Sequence, residues 1–292
     1  MQDLQIVDHN GMSNGIVRLI RWPNLILLAT IQFLVFVIGH PESWVYLVLT
    51  TAMTVSAAAA GYIINDATDL EADRVNDRIN PIGTGHISLR SARRGYVLLT
   101  IVGAAFSLTL SWAWSWHFLW IYAGTTLLLW LYSLSLKAMP LVGNFSVSVF
   151  CGMAVLIVWY PVVQFEFIPQ RILMLSGFAF LVTFIREIVK DLEDMRGDLE
   201  AGYRTLPIVC GVSLSKVLTV ILTLVSVTVF SFLPDTFSNY CLASLACDII
   251  TMTLLITAGM YLIVRANNKI AYHRISTILK IAMLSGSLSL LL

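Results

Sequence analysis

The sequence predicts an all-α polytopic membrane protein, on three observations. Hydrophobic residues make up 58% of the 292 residues and charged residues only 12%, where a soluble globular chain carries about 25% charged. The apolar runs are continuous and about 20 residues long, the length a bilayer-spanning helix needs. Between them lie short clusters of turn residues. Disorder is excluded, because it requires low hydrophobicity and high charge. A β-barrel would alternate polar and apolar residues over short segments, whereas a helix satisfies its own backbone inside lipid. The net charge of +1 provides no global field to attract nucleic acid.

The chain opens on a polar N-terminal segment, residues 1–15, with Asp3, Asp8 and Asn10. It lacks the basic-then-apolar form of a cleaved signal, so the first apolar run is expected to be a retained helix. Residues 16–292 form a single transmembrane domain. Its apolar segments run over 18–39, 43–64, 93–113, 116–136, 142–163, 170–190, 214–233, 240–264 and 275–292. His40-Pro41 separates the first pair and Met139-Pro140 the fourth from the fifth; Pro169, Pro234-Asp235 and Asn267-Asn268 mark later breaks. Two breaks are much longer, Asn65 to Arg93 and Asp191 to Ser213. With the N-terminus inside and nine spans, nearly all of the 18 Lys and Arg fall on the cytoplasmic side; Arg171 is outside and Lys280 lies within the last span. The expected architecture is therefore nine transmembrane helices around a central cavity. The loops after helices 2 and 6 form a cytoplasmic cap. Cys151, Cys210, Cys241 and Cys247 form no pair or cluster and read as small apolar fillers.

Most of the 17 Asp and Glu lie in two windows, 66–77 and 187–200, each at the cytoplasmic end of a span. The windows share the pattern D-x-x-D-x-x-x-D: Asp66, Asp69 and Asp73 recur with identical spacing as Asp191, Asp194 and Asp198. Spacings of three and four put three carboxylates on one helical face. Like charges there repel, and near a membrane they are also desolvated. A cation relieves both costs. Hard oxygen ligands suit Mg2+, which keeps coordination sites for water and substrate phosphate. For one such triplet, a polar helix end in water is a sufficient explanation. Two identical triplets in so uncharged a chain favour a metal site. A proton or cation pathway would place carboxylates near mid-membrane, and these lie at span ends.

Asn65-Asp66-x-x-Asp69-x-x-x-Asp73 resembles the NDxxDxxxD motif of the UbiA superfamily of intramembrane prenyltransferases, and Asp191-x-x-Asp194-x-x-x-Asp198 resembles that family's second Asp-rich motif. The resemblance implies Mg2+ as cofactor. It also implies an allylic polyprenyl diphosphate as donor, ionised to a carbocation that a lipophilic acceptor attacks, all within membrane lipid. It carries the metal role to Asn65, Asp66, Asp69, Asp73, Asp191, Asp194 and Asp198, of which Asp69, Asp73, Asp194 and Asp198 are expected to be essential for turnover. Arg74 and Asn76 resemble the segment after the first motif. Tyr132-Ser133-x-x-x-Lys137 with Gly143-Asn144 resembles the family's stretch between helices 4 and 5. Arg74, Tyr132, Lys137, Arg186, Lys190 and Arg204 are accordingly the candidates for binding the diphosphate, with Lys137 also a candidate catalytic group. Lys137 serves equally well as a positive-inside anchor, and Arg186 and Lys190 have carboxylates within a turn or two to pair with. The chain departs from the family after the first motif: Asn80 stands where a second Arg is expected, Gly83 where Pro is common, and Ala67-Thr68 replaces an aromatic pair.

Within the superfamily, Arg186 to Asp198 followed by Gly202-Tyr203-Arg204-Thr205-Leu206-Pro207 resembles the digeranylgeranylglyceryl phosphate synthase branch, as does Arg18-Leu19-Ile20-Arg21-Trp22-Pro23-Asn24. That branch implies transfer of a geranylgeranyl group to a prenylglycerol phosphate, for which Arg18, Arg21 and Arg204 are the nearby cations. The alternatives are an aromatic, quinone-type acceptor, a UbiA-type terpene cyclase with no acceptor, and a non-enzymatic cation carrier. A prenyl chain needs a dry slot between helices, and the small residues Ser56 to Gly61 just before the first motif permit one.

Overall fold

The computed structural model describes residues 15–38, 43–159, 170–231 and 242–291. The polar N-terminal segment lies outside them except for its last residue, as do the breaks at His40-Pro41, Pro169 and Pro234-Asp235. Every regular element among the described residues is helical: α1 (Trp22–Ile38), α2 (Trp44–Thr68), α3 (Leu70–Val75), α4 (Leu89–Ala113), α5 (His117–Leu134), a 3-10 turn (Leu136–Ala138), α6 (Val142–Leu156), α7 (Gln170–Glu200), α8 (Leu206–Cys210), α9 (Val212–Ser231), α10 (Leu242–Val264) and α11 (Lys269–Leu291). Of these, α2, α4, α5, α7, α9 and α10 are long and apolar enough to cross a membrane, while α1 and α6 are shorter apolar helices.

Two helices run further than the apolar pattern indicates. Helix α2 continues past the expected end at 64 to Thr68, so Asn65 and Asp66 sit on its last turn. Helix α7 continues past the expected end of the apolar run at 190, through the second motif to Glu200, so Asp191, Asp194 and Asp198 are helical, as their spacing of three and four predicts. Hydropathy marks where lipid ends, but backbone propensity continues: Asp191 to Glu200 contains no Pro and only one Gly, and alternates acids with Leu, Met and Arg, so the helix carries on into the polar zone.

The chain divides into two compact units. The first holds residues up to Thr30 and Ser43–Leu134. In it α2 packs against α4 and α5, and α4 against α5. The small residues Ser56, Ala57, Ala59, Ala60 and Gly61 form the buried face of α2, which lets neighbouring backbones approach closely. Gly103 on α4 does the same for Tyr122. A Cβ at that position would collide with the phenol ring, and with it absent the Tyr122 hydroxyl reaches the Thr100 carbonyl at 2.7 Å. At the far end of these helices Trp112, Trp116 and Trp120 are exposed, while Trp114 meets Tyr46 edge to face at 5.3 Å, as in an interfacial aromatic belt.

The second unit holds Ile31–Glu42 and Ser135–Leu292. Its centre is α7, packed against α6, α9 and α11, with α10 against α9 and α11. Gln32 on the second half of α1 donates to the Ala154 carbonyl of α6 at 2.9 Å. Asp248 on α10 is buried and accepts a hydrogen bond from Ser289 on α11. The bond goes to Oδ1 alone; Oδ2 is buried without a hydrogen-bond partner among the described residues.

Candidate active site

The first motif does not lie on one helix. The α-helix breaks at Asp69, whose backbone (φ −93°, ψ 10°) closes α2 and opens α3. The expected single face of three carboxylates is therefore replaced by three carboxylates with three different partners. Asp66 is buried and pairs with Arg21 at 2.6 Å, across 45 residues of sequence. Arg21 has a left-handed backbone (φ 52°), which turns the chain just before α1, and its guanidinium lies 4.9 Å from the centre of the Tyr62 ring. Asp69 accepts from Asn65 Nδ2 at 2.8 Å. Asp73, also buried, accepts from Asn80 Nδ2 at 2.8 Å on Oδ2 and lies 3.6 Å from Arg78 on Oδ1.

Asn80 is 3% exposed and uses both ends of its amide. Besides Asp73, its Nδ2 donates to the Asp66 carbonyl at 2.8 Å, and its Oδ1 accepts from Ile82 N at 3.0 Å. The loop after the motif is thereby fastened to both α2 and α3 by one neutral side chain. An arginine, which the family pattern places here, has no acceptor to offer Ile82. Burial pushes the Asp73 carboxyl above the usual carboxylate range; the Asn80 hydrogen bond and Arg78 pull it back, and the Asp69 and Asp66 carboxylates add to the rise.

The second motif is one ridge of α7. Asp194 is buried, as is Glu187 one turn before the motif. Asp191 accepts from Asn144 Nδ2 on α6 at 2.8 Å. Glu187 pairs with Arg186 at 2.5 Å and with Lys190 at 3.9 Å. Both candidate diphosphate-binding cations on this helix are thus held by a carboxylate that the motif spacing leaves out. Glu193 points to the other side of the ridge, 3.1 Å from His273 of α11.

The remaining candidates are dispersed. Lys137 sits in the 3-10 turn with its ammonium 5.5 Å from the centre of the Tyr203 ring. Gly143 allows this turn to fold onto α6, because a Cβ there would come within 2.8 Å of the Lys137 backbone. Arg204 anchors the same region by its own backbone, donating to the Ala138 carbonyl at 2.8 Å. Tyr132 is half-buried on α5. Arg74 is exposed and meets Glu71 at 3.3 Å.

Among the described residues no group of three or more His, Cys, Asp or Glu side chains is gathered closely enough to hold a metal by itself. The helix break at Asp69 and the separate partners of each carboxylate account for this in the first motif. The donor set still fits Mg2+ in kind. Every candidate ligand is a hard oxygen, and the Asn65 Oδ1 is buried without a hydrogen-bond partner while its amide nitrogen holds Asp69. A buried unsatisfied carbonyl beside a carboxylate is the environment a hard cation satisfies.

Within their own units, Arg21, Arg78, Asn80, Asn144 and Glu187 are partners of the nominated residues, and the sequence nominates none of the five for metal or diphosphate. Asn144 and Asn80 are visible in the sequence, one in a motif and the other as a departure from it. Arg21 and Arg78 carry no signal of their carboxylate partners.

The UbiA prenyltransferase family matches residues 25–283. A digeranylgeranylglyceryl phosphate synthase of Methanobrevibacter smithii is 30% identical over 217 residues, 73% of this chain and 75% of the relative. A solved structure described as digeranylgeranylglyceryl phosphate synthase in membranes superposes with a TM-score of 0.69 at 28% identity, covering 96% of this chain and 97% of the other. A UbiA homolog from Archaeoglobus fulgidus, bound to DMAPP and Mg2+, shares the fold with a TM-score of 0.59 at 17% identity over 94% of this chain and 99% of that one.

Proposed function

The chain belongs to the UbiA prenyltransferase family, and from that premise we propose that this multi-pass membrane enzyme transfers a geranylgeranyl group from its allylic diphosphate to the hydroxyl of a prenylglycerol phosphate. The observation that carries the reading is the first motif, an all-oxygen donor set in which each carboxylate is oriented by its own partner. The acceptor is supported by the relatives named digeranylgeranylglyceryl phosphate synthase at about 30% identity.

In this reading Asn65, Asp66, Asp69 and Asp73, with Asp191, Asp194 and Asp198, hold Mg2+. Bound Mg2+ supplies Lewis-acid stabilisation of charge on the departing diphosphate. The chain's own residues prepare the ligands. Asn65 fixes Asp69, Asn80 and Arg78 fix Asp73, and Asn144 fixes Asp191. Arg21 neutralises Asp66, which lowers the repulsion among the three acids. Lys137, Arg186, Lys190 and Arg204, with Tyr132 and Arg74, supply donors for the diphosphate oxygens. Arg186 and Lys190 are kept in place by Glu187. The allylic C–O bond breaks with its electron pair leaving on diphosphate. The acceptor oxygen then forms the new ether bond to the allylic carbon, and its proton is released. Apolar helices exclude the water that would otherwise trap the cation as an alcohol.

The reading includes nine spans, with Trp22–Ile38, Val142–Leu156 and Lys269–Leu291 crossing alongside the six long apolar helices, and with the N-terminus and both motifs on the cytoplasmic side. The test is product identity. Purified protein is given geranylgeranyl diphosphate and Mg2+ with a prenylglycerol phosphate, with an aromatic quinone precursor, or with neither, and the lipids are weighed by mass spectrometry. A diether phosphate formed only in the first mixture is the expected result. A prenylated ring, or a cyclised hydrocarbon without acceptor, would replace the reading.

A further inference from the structure

We propose that Arg90, Arg93 and Arg94 of α4 form a docking surface for the phosphate headgroup of an anionic membrane lipid, with its chain lying along Val97, Leu98 and Ile101. With Leu89, these six residues line one shallow open groove. Their spacing explains why: positions 90, 93, 94, 97, 98 and 101 fall on a single stripe of an α-helix. The opposite side of the same turns is where α4 meets its unit, with Ala92 buried among Leu19, Ile63, Ile82 and Ile87. The stripe therefore faces outward, and all three arginines are exposed.

Arg21, Arg78 and Arg186 each meet a carboxylate. Among the described residues, Arg90, Arg93 and Arg94 meet none. Three like charges at spacings of one, three and four repel along the helix. A phosphate relieves that repulsion, and guanidinium groups match its oxygens in pairs.

The apolar half of the stripe selects a lipid over a soluble anion. Immediately beyond Arg94 the exposed side chains lose their charge, with Val97 51%, Leu98 61% and Ile101 62% exposed. The helix is 25 residues long and apolar enough to cross a bilayer. A soluble phosphate would satisfy the arginines and leave the apolar stretch uncovered. An amphiphile with an anionic head and an apolar tail satisfies both, and its polar-to-apolar boundary coincides with the one between Arg94 and Val97. The surface is separate from the Asp motifs, so it stands or falls independently of the reaction assigned to them.

The experiment is native mass spectrometry of the full-length protein in detergent, titrated with phosphatidylglycerol or phosphatidylcholine of the same chain length. Expected is a phosphatidylglycerol adduct in clear excess over phosphatidylcholine. At about fivefold per arginine near a membrane surface, R90Q/R93Q/R94Q should lower that adduct at least about tenfold. R265Q/R274Q, which alters two exposed arginines elsewhere, should leave it unchanged. The triple variant changes only exposed side chains, and an unaltered melting temperature verifies its fold. Equal adducts of the two lipids, or a preference that survives the triple substitution, would overturn the proposal. So would displacement of the lipid by millimolar inorganic phosphate, which would mark a soluble-anion site. A preference confined to prenylglycerol phosphate would also overturn it, by making the occupant the acceptor instead of a bilayer lipid.

Discussion

Replacing Asn80 with Asp tests how the first motif is held. The change is nearly isosteric and keeps an acceptor for Ile82 N, but it removes the two N–H donors that reach Asp66 O and Asp73 Oδ2, each at 2.8 Å. A hydrogen bond to a charged group contributes about 1.5–3 kcal/mol and a neutral one about 1 kcal/mol. In place of the donor, a second carboxylate faces Asp73 at a buried position. Two unit charges about 4 Å apart at an effective dielectric of about 20 repel by about 4 kcal/mol, which protonation of one of them reduces. The net expectation is a loss of about 3 kcal/mol of local stability, concentrated on the Asp73 carboxylate. In a thermal-shift assay of the purified protein the N80D melting temperature falls by several degrees. In a diphosphate-release assay the Mg2+ concentration for half-maximal rate rises about tenfold, the equivalent of about 1.4 kcal/mol in affinity. Asn80→Ala loses the donors and the acceptor but adds no charge, so it should lose at least as much loop anchoring and show a smaller change in Mg2+ requirement. An N80D protein with wild-type melting and wild-type Mg2+ dependence would show that Asn80 does not hold the motif in place.

Further predictions concern the ion pair, the second motif and the close helix contact. Arg21→Gln leaves the Asp66 carboxylate buried without its cation, which costs about 3 kcal/mol; a lowered melting temperature is expected, and an unchanged one would show that the pair contributes little. Asp194→Asn preserves volume at a buried position of the second motif and is expected to abolish diphosphate release with melting preserved; wild-type turnover would remove Asp194 from the metal site. Gly103→Ala forces Tyr122 off Thr100 and should destabilise by about 1–3 kcal/mol, read as a drop in melting temperature without a change in Mg2+ requirement.

Local sequence carries much of this architecture. Continuous apolar runs locate the helical cores, since burial in lipid has a one-dimensional signature. The two Asp triplets are legible because one residue type at identical spacing stands out in a chain with so few charges. Spacing does not reveal the helix break at Asp69: a triplet at three and four is consistent with one helix, and only packing decides that the chain turns there. Nor does hydropathy show that α7 runs on to Glu200, because it reports the end of the membrane and not the end of the helix. The partners are the least legible part. Arg21 finds Asp66 across 45 residues, and Asn144 finds Asp191 across 47, contacts that no local pattern encodes. Asn80 illustrates the same limit from the other side. In the sequence it is a missing arginine; in the fold it is the side chain that joins α2, α3 and the loop after them.

The proposed reaction uses Mg2+ on the Asp motifs to move a prenyl group onto a phosphate-bearing lipid acceptor. The most direct measurement is the rate of diphosphate release from geranylgeranyl diphosphate by the full-length protein, with and without geranylgeranylglycerol phosphate, before and after chelation of Mg2+. Release that requires both the acceptor and the metal is expected. Release at the same rate without acceptor, or release that survives chelation, would contradict it.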